Sequence, residues 1–275
     1  MLSKSKIIIL TAILLVVTAL GLSSLGSSGF SGTLTLAGST SVHPLAEELA
    51  QVFMEKHPNV HVFVTGGGSS AGIKAVTNRT ADIGNASRDL KPTEKLHKTV
   101  IALDGIAIGV NPKNSLDNLT FEQAQQIFAG EIKDWKDLDV NFGLPKNNRI
   151  VVVNREAGSG TRGAFEELVM EKSGKGLSMD SLVQASNGAV QQTLVTTEQA
   201  IGYLSFGYLE GVKAVKVDGV GATVENVKNS RYPLARPFLM TTKDAPAGLA
   251  KVFLDFVLSA EGQEVVVTNG YISVK

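Results

Sequence analysis

The chain has 275 residues, 26 basic and 26 acidic side chains, and no cysteine. This length suits one large or two modest domains, and a 43% share of hydrophobic residues is enough to fill a core in each. The missing cysteines exclude disulfides, thiolate nucleophiles and cysteine-ligated metal or iron–sulfur sites. Because basic and acidic residues balance, the chain lacks the basic surplus that is typical of nucleic-acid-binding proteins.

The N-terminus has the order of residues found in an export signal. Lys4 and Lys6 precede an uncharged apolar run at 7–22, and small and polar residues follow it up to residue 32. The run is 16 residues long, slightly short of the roughly 20 residues of a membrane-spanning helix. Residues 1–30 are therefore predicted to be either a cleaved signal peptide or a retained membrane anchor with a linker, and the sequence leaves both open. In either case we expect an extracytoplasmic protein.

From residue 33 the chain alternates short apolar strands with amphipathic helices, which is typical of a parallel α/β sheet. Leu45, Leu49 and Phe53 have helical spacing, so we expect them to enter a core. Pro44 suits the first turn of the same helix, where a backbone donor is not needed. The first series has predicted strands at 33–37, 61–65, 82–85 and 99–110, and predicted helices at 44–56 and 71–78.

A second series starts near residue 111. It has predicted helices at 120–128, 161–172 and 189–197, strands at 149–154 and 200–206, β-rich segments beyond Lys213, and a helix at 247–258. The C-terminal helices are free to return to the first series. This organisation predicts two α/β lobes, the first formed by residues 31–110 plus about 212–275 and the second by residues of about 111–211.

Three turns rich in glycine and hydroxyl side chains share one design, in which a strand ends, the turn follows and a helix starts. They are Gly38-Ser39-Thr40-Ser41, the segment 66–72 (GGGSSAG) and the segment 155–162 (REAGSGTR). A helix N-terminus exposes unpaired N–H groups and carries about half a positive elementary charge. Glycine lets the backbone approach a ligand and hydroxyls add donors. Arg155 adds a planar charged fork suited to two oxygens of a tetrahedral anion.

Taken singly, such a turn is usually a plain helix cap, because Ser and Thr commonly fill that position. Three of them divided between two α/β lobes instead indicate an oxyanion site, since parallel sheets gather these turns at the crevice beyond their strand ends. The last histidine is His97, so a serine hydrolase would find no base after Ser159 and only His97 after Ser69. His57 and His61 straddle a turn without forming a metal-ligand pattern. We therefore expect no catalytic residue, no metal and no cofactor.

Several longer motifs follow one another across nearly all of residues 33–275. They are LAGSTSVHPLAEELA, VTGGGSSAGIKAV, ADIGNASRDL, IALDGIAIGVNP, FEQAQQIFAGEIKDW, VVNREAGSGTRGAFEELV and AIGYLSFGYL. In this order they resemble the phosphate-specific substrate-binding proteins of ABC importers. The resemblance implies a two-lobed periplasmic-binding-protein fold, type II-like, with two crossing segments and the ligand in the interdomain cleft.

The resemblance also implies a ligand set. Thr40 and Ser41 resemble the first phosphate-binding turn, with Ser39 as a neighbouring candidate, and Ser69 matches the serine of the second turn. The family's Arg-x-x-x-Ser-Gly-Thr set is matched in the second lobe by Arg155, Ser159, Gly160 and Thr161.

One position departs from the family pattern. Many members carry an acid directly after the serine that corresponds to Ser87, where it accepts the proton of hydrogen phosphate, whereas this chain has Arg88. We hypothesise that Ser87 and Arg88 donate to the anion while Asp104 accepts its proton, with Asp89 and Glu156 as weaker acceptors. A buried Asp104 that pairs with an arginine is an equal alternative. The departure leaves the selectivity for phosphate over sulfate open.

The resemblance thus implies an extracytoplasmic receptor that binds inorganic phosphate and delivers it to the membrane permease of an ABC importer. Hinge closure would bring the second lobe onto an anion held by the first. We expect a monomer and no nucleic-acid partner. The alternatives are a receptor for another tetrahedral oxyanion such as sulfate, a phosphate sensor without transport, and, from a different class, a secreted hydrolase.

Overall fold

The computed structural model describes residues 29–140, 142 and 148–275, so the predicted signal or anchor at 7–22 lies outside the described residues. Within those residues, no helix is both long and apolar enough to cross a bilayer. The strands are β1 (Gly32–Gly38), β2 (Val60–Thr65), β3 (Ile83–Ala86), β4 (His97–Val110), β5 (Asn118–Leu119), β6 (Val151–Arg155), β7 (Leu182–Gln184), β8 (Ala200–Ser205), β9 (Lys213–Val217) and β10 (Ala235–Thr242). The helices are α1 (His43–Lys56), α2 (Ser69–Thr77), α3 (Phe121–Ala129), α4 (Gly160–Phe165), α5 (Asn187–Thr196), α6 (Val224–Lys228), α7 (Gly248–Val257) and α8 (Ala260–Thr268).

A mixed sheet runs through the described chain in the strand order β2-β1-β3-β10-β4-β8-β6-β7, with β9 beside β4 and β5 beside β9. β1 is parallel to β2 and β3, and β6 is parallel to β7 and β8. β10 runs antiparallel to β3 and β4, and β4 runs antiparallel to β8. The α/β class is confirmed, with two groups of parallel strands on either side of β10 and β4.

The first group of parallel strands shares a hydrophobic core with α1, α7 and α8. Leu45, Leu49 and Phe53 of α1 are buried in this core, as their helical spacing predicts. Phe253 of α7 packs edge-on against Phe53 with ring centroids 5.1 Å apart, and Val266 of α8 is buried in the same core. The C-terminal helices therefore return to the first lobe.

The second group has its own core. Phe165 of α4 stacks on Tyr203 of β8 with ring centroids 4.1 Å apart, and Phe128 of α3 packs against both rings. Val215 of β9 and Leu234, which directly precedes β10, are buried in this same core. Part of the segment after residue 212 thus packs with the second group of strands, and the boundary at about residue 212 stays a prediction.

β4 and β10 are the crossing strands between the two groups. β4 pairs with β10 over the first part of its length and with β8 over the second, so one continuous strand passes from one lobe to the other. Asp104 lies opposite Arg236 in the ladder, next to the point where the partner of β4 changes. These two residues therefore lie between the lobes.

The predicted helix at 161–172 is α-helical only over α4. It continues as a π-helical turn at Glu166–Met170 and a 3-10 turn at Glu171–Ser173. The sequence analysis did not identify β7 and α8. β7 has three residues, and the valine run of α8 at 265–267 has a strand-like composition that hides its helical character.

Candidate anion-binding site

The first predicted turn lies at the end of β1. The Oγ of Ser39 accepts the N–H groups of Ser41 and Val42, at 3.2 and 3.4 Å, and so caps the turn that leads into α1. The same hydroxyl donates to the Oγ of Ser87 at 2.8 Å. Ser39 and Ser41 are buried, and Thr40 between them is partly buried. Ser39 thus holds the turn before α1 and is part of a group of interacting hydroxyls.

The second predicted turn brings α2 against the end of β1 because of two glycines. A β-carbon on Gly72 would lie 2.4 Å from a backbone carbonyl oxygen of β1, and one on Gly38 would lie 2.3 Å from a carbonyl oxygen of β3. Only glycine allows so close an approach. It places Ser69, the first residue of α2, where its Oγ accepts the N–H of Ser87 at 3.1 Å.

Ser87 directly follows β3 and joins the first two turns. Its Oγ lies 2.8 Å from that of Ser39 and 3.5 Å from that of Ser69. All three serines are at most 2% exposed. Three hydroxyls of the first lobe therefore meet beyond the C-terminal ends of its parallel strands, where the α/β pattern predicts a ligand site.

The third predicted turn approaches these hydroxyls from the second lobe. The Oγ of Ser159 caps α4 by accepting a backbone N–H of its first turn at 3.1 Å, and the Oγ1 of Thr161 shares a 2.8 Å hydrogen bond with the Oγ of Ser41. A β-carbon on Gly160 would lie 2.1 Å from the Oγ of Ser69, so the lobes are closed onto each other here. The hydroxyl cluster, as we call it, consists of Ser39, Ser41, Ser69, Ser87 and Thr161.

Arg155, the last residue of β6, approaches the cluster from the second lobe. It is 1% exposed, and its Nε and Nη2 pair with the Glu156 carboxylate at 2.9 Å each. Nη2 also donates to the Oγ1 of Thr40 at 3.4 Å. Nη1 is buried and has no hydrogen-bond partner among the described residues. An unpaired buried guanidinium nitrogen is unfavourable, so Nη1 is a candidate donor to a ligand.

Two side chains behind Arg155 hold its backbone in place. The Oδ1 of Asn154 accepts the N–H of Arg155 at 2.7 Å and the hydroxyl of Tyr203 in a short hydrogen bond. Burial raises the pKa of the Tyr203 hydroxyl, so it remains protonated and available as a donor. The stacking of Tyr203 on Phe165 fixes the ring.

Asn187, the first residue of α5, is a contact residue that was not predicted from the sequence. Its Nδ2 donates to the Oγ1 of Thr40 at 3.2 Å and to the Oγ of Ser41 at 2.8 Å, while its Oδ1 accepts a backbone N–H of β8 at 3.1 Å. This buried amide therefore fastens the second lobe to the first turn. The sequence does offer a clue to this residue. Ser186-Asn187-Gly188 lies after β7 at the start of α5, so it is a fourth strand–turn–helix segment.

Arg236 of β10 was also missed, and no local motif marks it. Its Nε and Nη2 donate to the Oδ2 of Asp104, at 3.0 and 2.8 Å. Nη2 donates as well to the Oγ of Ser41 at 3.0 Å, and Nη1 donates to the carbonyl oxygen of Ser87 at 3.2 Å. Burial raises the pKa of the Asp104 carboxyl, and the charge of Arg236 opposes that rise. Asp104 thus follows the alternative of a buried acid paired with an arginine.

Arg88 is not brought into the hydroxyl cluster. Its Nη1 and Nη2 both donate to the Glu94 carboxylate at 2.8 Å, and Nη2 lies 3.4 Å from the Oγ of Ser70. The hypothesis that Arg88 donates to the anion stays a prediction, and this pairing does not favour it. The physical reason is that Glu94, six residues farther along the chain, takes both terminal nitrogens of the guanidinium.

All three acids considered as proton acceptors have a cationic partner. The pairs are Asp89–Lys98, Glu156–Arg155 and Asp104–Arg236, at 2.9, 2.9 and 2.8 Å. The donors at this place are therefore the hydroxyls of the cluster, the side-chain amide of Asn187 and the guanidinium groups of Arg155 and Arg236. Such a set of donors can bind a small anion through charge-assisted hydrogen bonds.

Comparisons with known proteins find relatives over most of this chain. The PBP superfamily domain matches residues 24–261. The phosphate-binding protein PstS of Bacillus subtilis is 33% identical over 260 residues, which cover 92% of this chain and 84% of that protein. A structure from Clostridium perfringens, described as a phosphate ABC transporter substrate-binding protein with bound phosphate, is 42% identical with a TM-score of 0.83, over 89% of this chain and all of the other. An ABC-type phosphate transport receptor from Vibrio cholerae is 35% identical with a TM-score of 0.71, over 88% of this chain and all of the other.

Proposed function

The chain belongs to the PBP superfamily and, within it, to the phosphate-binding proteins of ABC importers; from this premise we propose that it holds inorganic phosphate between its lobes with the donors described above. It is a phosphate receptor that serves an ABC-type importer. Its contribution to uptake is capture and delivery of the ion, and we assign no catalytic step to the site.

The observation that carries the proposed ligand set is the buried Nη1 of Arg155, which has no partner in the described part of the chain. Glu156 already occupies the other side of this guanidinium, and Thr40 lies 3.4 Å from its Nη2. A donor left unsatisfied in a buried place costs about 1–3 kcal/mol. A phosphate oxygen at Nη1 would remove that penalty and gain a charge-assisted hydrogen bond.

Hydroxyls of the cluster supply the remaining donors. In the described structure they bond to each other across the lobes, as Ser41 does to Thr161. Each hydroxyl can rotate its proton toward an anion, so phosphate exchanges these neutral hydrogen bonds for stronger ones to a charged acceptor. Because the donors come from both lobes, closure completes the site and removes water from the ion.

The pairing of the three candidate acids bears on selectivity. A site with a free carboxylate would reject sulfate, because sulfate brings no proton at neutral pH to meet that acceptor. Here the Oδ2 of Asp104 accepts hydrogen bonds from Arg236, and its Oδ1 accepts the N–H of Phe206 at 3.3 Å. This favours sulfate as a second candidate ligand. We expect the same donors to bind sulfate more tightly than a site with a free carboxylate would.

The place of action is outside the cytoplasm. Residues 1–30 direct export in this proposal, whether the segment is cleaved or retained as an anchor at 7–22. The receptor then acts as a monomer at the periplasmic or outer face of the cell membrane, where the closed form docks on the permease.

Calorimetric titration tests this proposal. The purified protein, stripped of carried-over phosphate by partial unfolding and dialysis, is titrated with phosphate and then with sulfate. We expect one phosphate per chain, and at least a tenfold loss of affinity in Arg155→Gln, because a hydrogen bond to a charged group contributes about 1.5–3 kcal/mol. Arg79→Gln, which alters an arginine paired with Asp244 at the surface, is the control and should bind normally. If neither anion binds to the wild-type protein, the proposal is wrong.

A further inference from the structure

The crossing strands carry a second arginine that faces the hydroxyl cluster. Arg236 is 3% exposed and Asp104 is 1% exposed, so their ion pair is fully enclosed. The Nη2 of Arg236 lies 3.0 Å from the Oγ of Ser41. That oxygen is also the partner of Thr161, at 2.8 Å, and of the Asn187 amide, at 2.8 Å. Arg236 therefore touches the hydroxyl at which donors of both lobes converge.

The guanidinium of Arg236 has more donors than its fixed partners use. A guanidinium group carries five N–H bonds. Nε and one N–H of Nη2 go to Asp104, one N–H of Nη1 goes to the carbonyl oxygen of Ser87, and the second N–H of Nη2 goes to Ser41. The bond to Ser41 is to a rotatable hydroxyl and can be exchanged, and one N–H of Nη1 has no partner among these contacts. The N–H of Nη2 that now bonds to Ser41 is thus available to an anion next to that hydroxyl.

Asp104 explains why an arginine can remain charged and fixed at this depth. An isolated buried cation would be strongly destabilised, and a directly bonded carboxylate offsets that effect. Because Asp104 and Arg236 lie opposite each other in the antiparallel ladder of β4 and β10, the backbone register sets their distance. Arg236 is therefore oriented by the crossing strands, whichever way the lobes move.

We infer that Arg236 is a direct ligand of the bound anion and that Asp104 is its positioning residue. The inference rests on the proposed function and extends it, since it gives the ion two guanidinium groups from different parts of the fold: Arg155 from the second lobe and Arg236 from the crossing strands. The donor next to Ser87, which the sequence analysis sought in Arg88, is thus supplied by a residue about 150 positions farther along the chain.

The test compares phosphate affinity with stability in two variants. Asp104→Asn combined with Arg236→Met removes the ion pair without leaving a buried charge, a change that is often neutral for stability. Arg236→Lys keeps the charge and the pairing but loses the fork. The control is Arg79→Gln combined with Asp244→Asn, which removes an exposed arginine–aspartate pair. For each protein we would measure the phosphate Kd by calorimetry and the unfolding midpoint in urea without phosphate.

We expect the phosphate Kd to rise roughly 10- to 100-fold in both Arg236 variants, since each loses at least one hydrogen bond to a charged acceptor. The control should keep the wild-type Kd. A wild-type Kd in Arg236→Lys, or in a double variant with a native unfolding transition, would overturn the inference while leaving the proposed function intact. If the double variant does not fold, Arg236→Lys decides alone. A wild-type protein that binds no phosphate overturns the proposed function itself, and this inference with it.

Discussion

Ser41 and Thr161 lie 120 positions apart in the chain, on opposite lobes, and their side-chain oxygens are 2.8 Å apart in a buried hydrogen bond. Ser41 is the last residue of the first predicted turn, in the first lobe, and Thr161 belongs to the first turn of α4 in the second lobe. The contact shows that both lobes bring hydroxyls to one point. A ligand bound there would be enclosed by the two lobes together.

Replacing Thr161 with valine removes this hydroxyl at almost constant volume. We expect the phosphate Kd to rise about tenfold or more, because a hydrogen bond to an anion contributes about 1.5–3 kcal/mol. Calorimetric titration measures the change. Thr196→Val is the matched control, because Thr196 is an exposed threonine of α5 whose Oγ1 bonds only to carbonyl oxygens of its own helix. Equal affinities in the two variants would contradict the role assigned to Thr161.

Closure depends on Gly160. A β-carbon there would lie 2.1 Å from the Oγ of Ser69 and 2.6 Å from that of Ser87, so Gly160→Ala cannot reach the closed arrangement without displacing those serines. We expect a phosphate Kd at least tenfold higher and no decrease of the radius of gyration on adding phosphate, measured by small-angle X-ray scattering. Gly176→Ala is the control, since a β-carbon at Gly176 meets nothing within 4 Å. Normal compaction of Gly160→Ala would show that closure does not need this glycine.

The ratio of phosphate to sulfate affinity separates the two roles considered for Asp104. If its carboxylate serves to hold Arg236, then Asp104→Asn alters the Kd values of both anions in the same direction and leaves their ratio within about twofold, a difference of about 0.4 kcal/mol. If it accepts the proton of phosphate, the variant loses phosphate affinity but not sulfate affinity. Paired titrations of both anions measure the ratio, and a selective loss of phosphate binding would restore the acceptor hypothesis.

Glu94 gives the stability of the first lobe a pH dependence. Although burial opposes it, the hydrogen bonds and charge of Arg88 lower the pKa of Glu94 below its usual 4.5. A lowered folded-state pKa means that the stabilisation is present above pH 4.5 and is lost as the pH falls through the lower value. We therefore expect Glu94→Gln to reduce the free energy of unfolding at pH 7 by up to about 1 kcal/mol.

The difference from wild type should shrink as the pH falls below 4.5, as measured by urea unfolding across that range. Glu261→Gln, which affects an exposed pair with Lys56, serves as the control and should stay within about 0.5 kcal/mol of wild type. A constant difference between Glu94→Gln and wild type at all pH values would mean that the Glu94 carboxylate is not the titrating group.

Local sequence patterns predicted those parts of the site that local structure positions. Ser39 bonds to the turn before α1, and Ser69 begins α2. Ser159 caps α4, and Gly160 and Thr161 form its first turn. A strand–turn–helix pattern is therefore enough to identify these residues. The three turns also lie at strand ends of parallel sheets, which is why their convergence was expected.

The residues that the sequence could not place act through tertiary contacts. Arg236 reaches Asp104 across 132 positions through the antiparallel register of the crossing strands, and no motif around either residue encodes that register. Arg88 looked like an anion ligand because it follows Ser87, but Glu94 draws its side chain away. Asn187 is the intermediate case, since its turn has the same design as the others but lacks their glycine-rich composition.

A crystal structure of the stripped protein grown with phosphate would show where the ion binds. We expect one phosphate between the lobes, with an oxygen within hydrogen-bond distance of the Nη1 of Arg155 and others close to the hydroxyls of Ser41 and Thr161. A phosphate bound elsewhere, with that nitrogen still unpaired, would contradict this expectation.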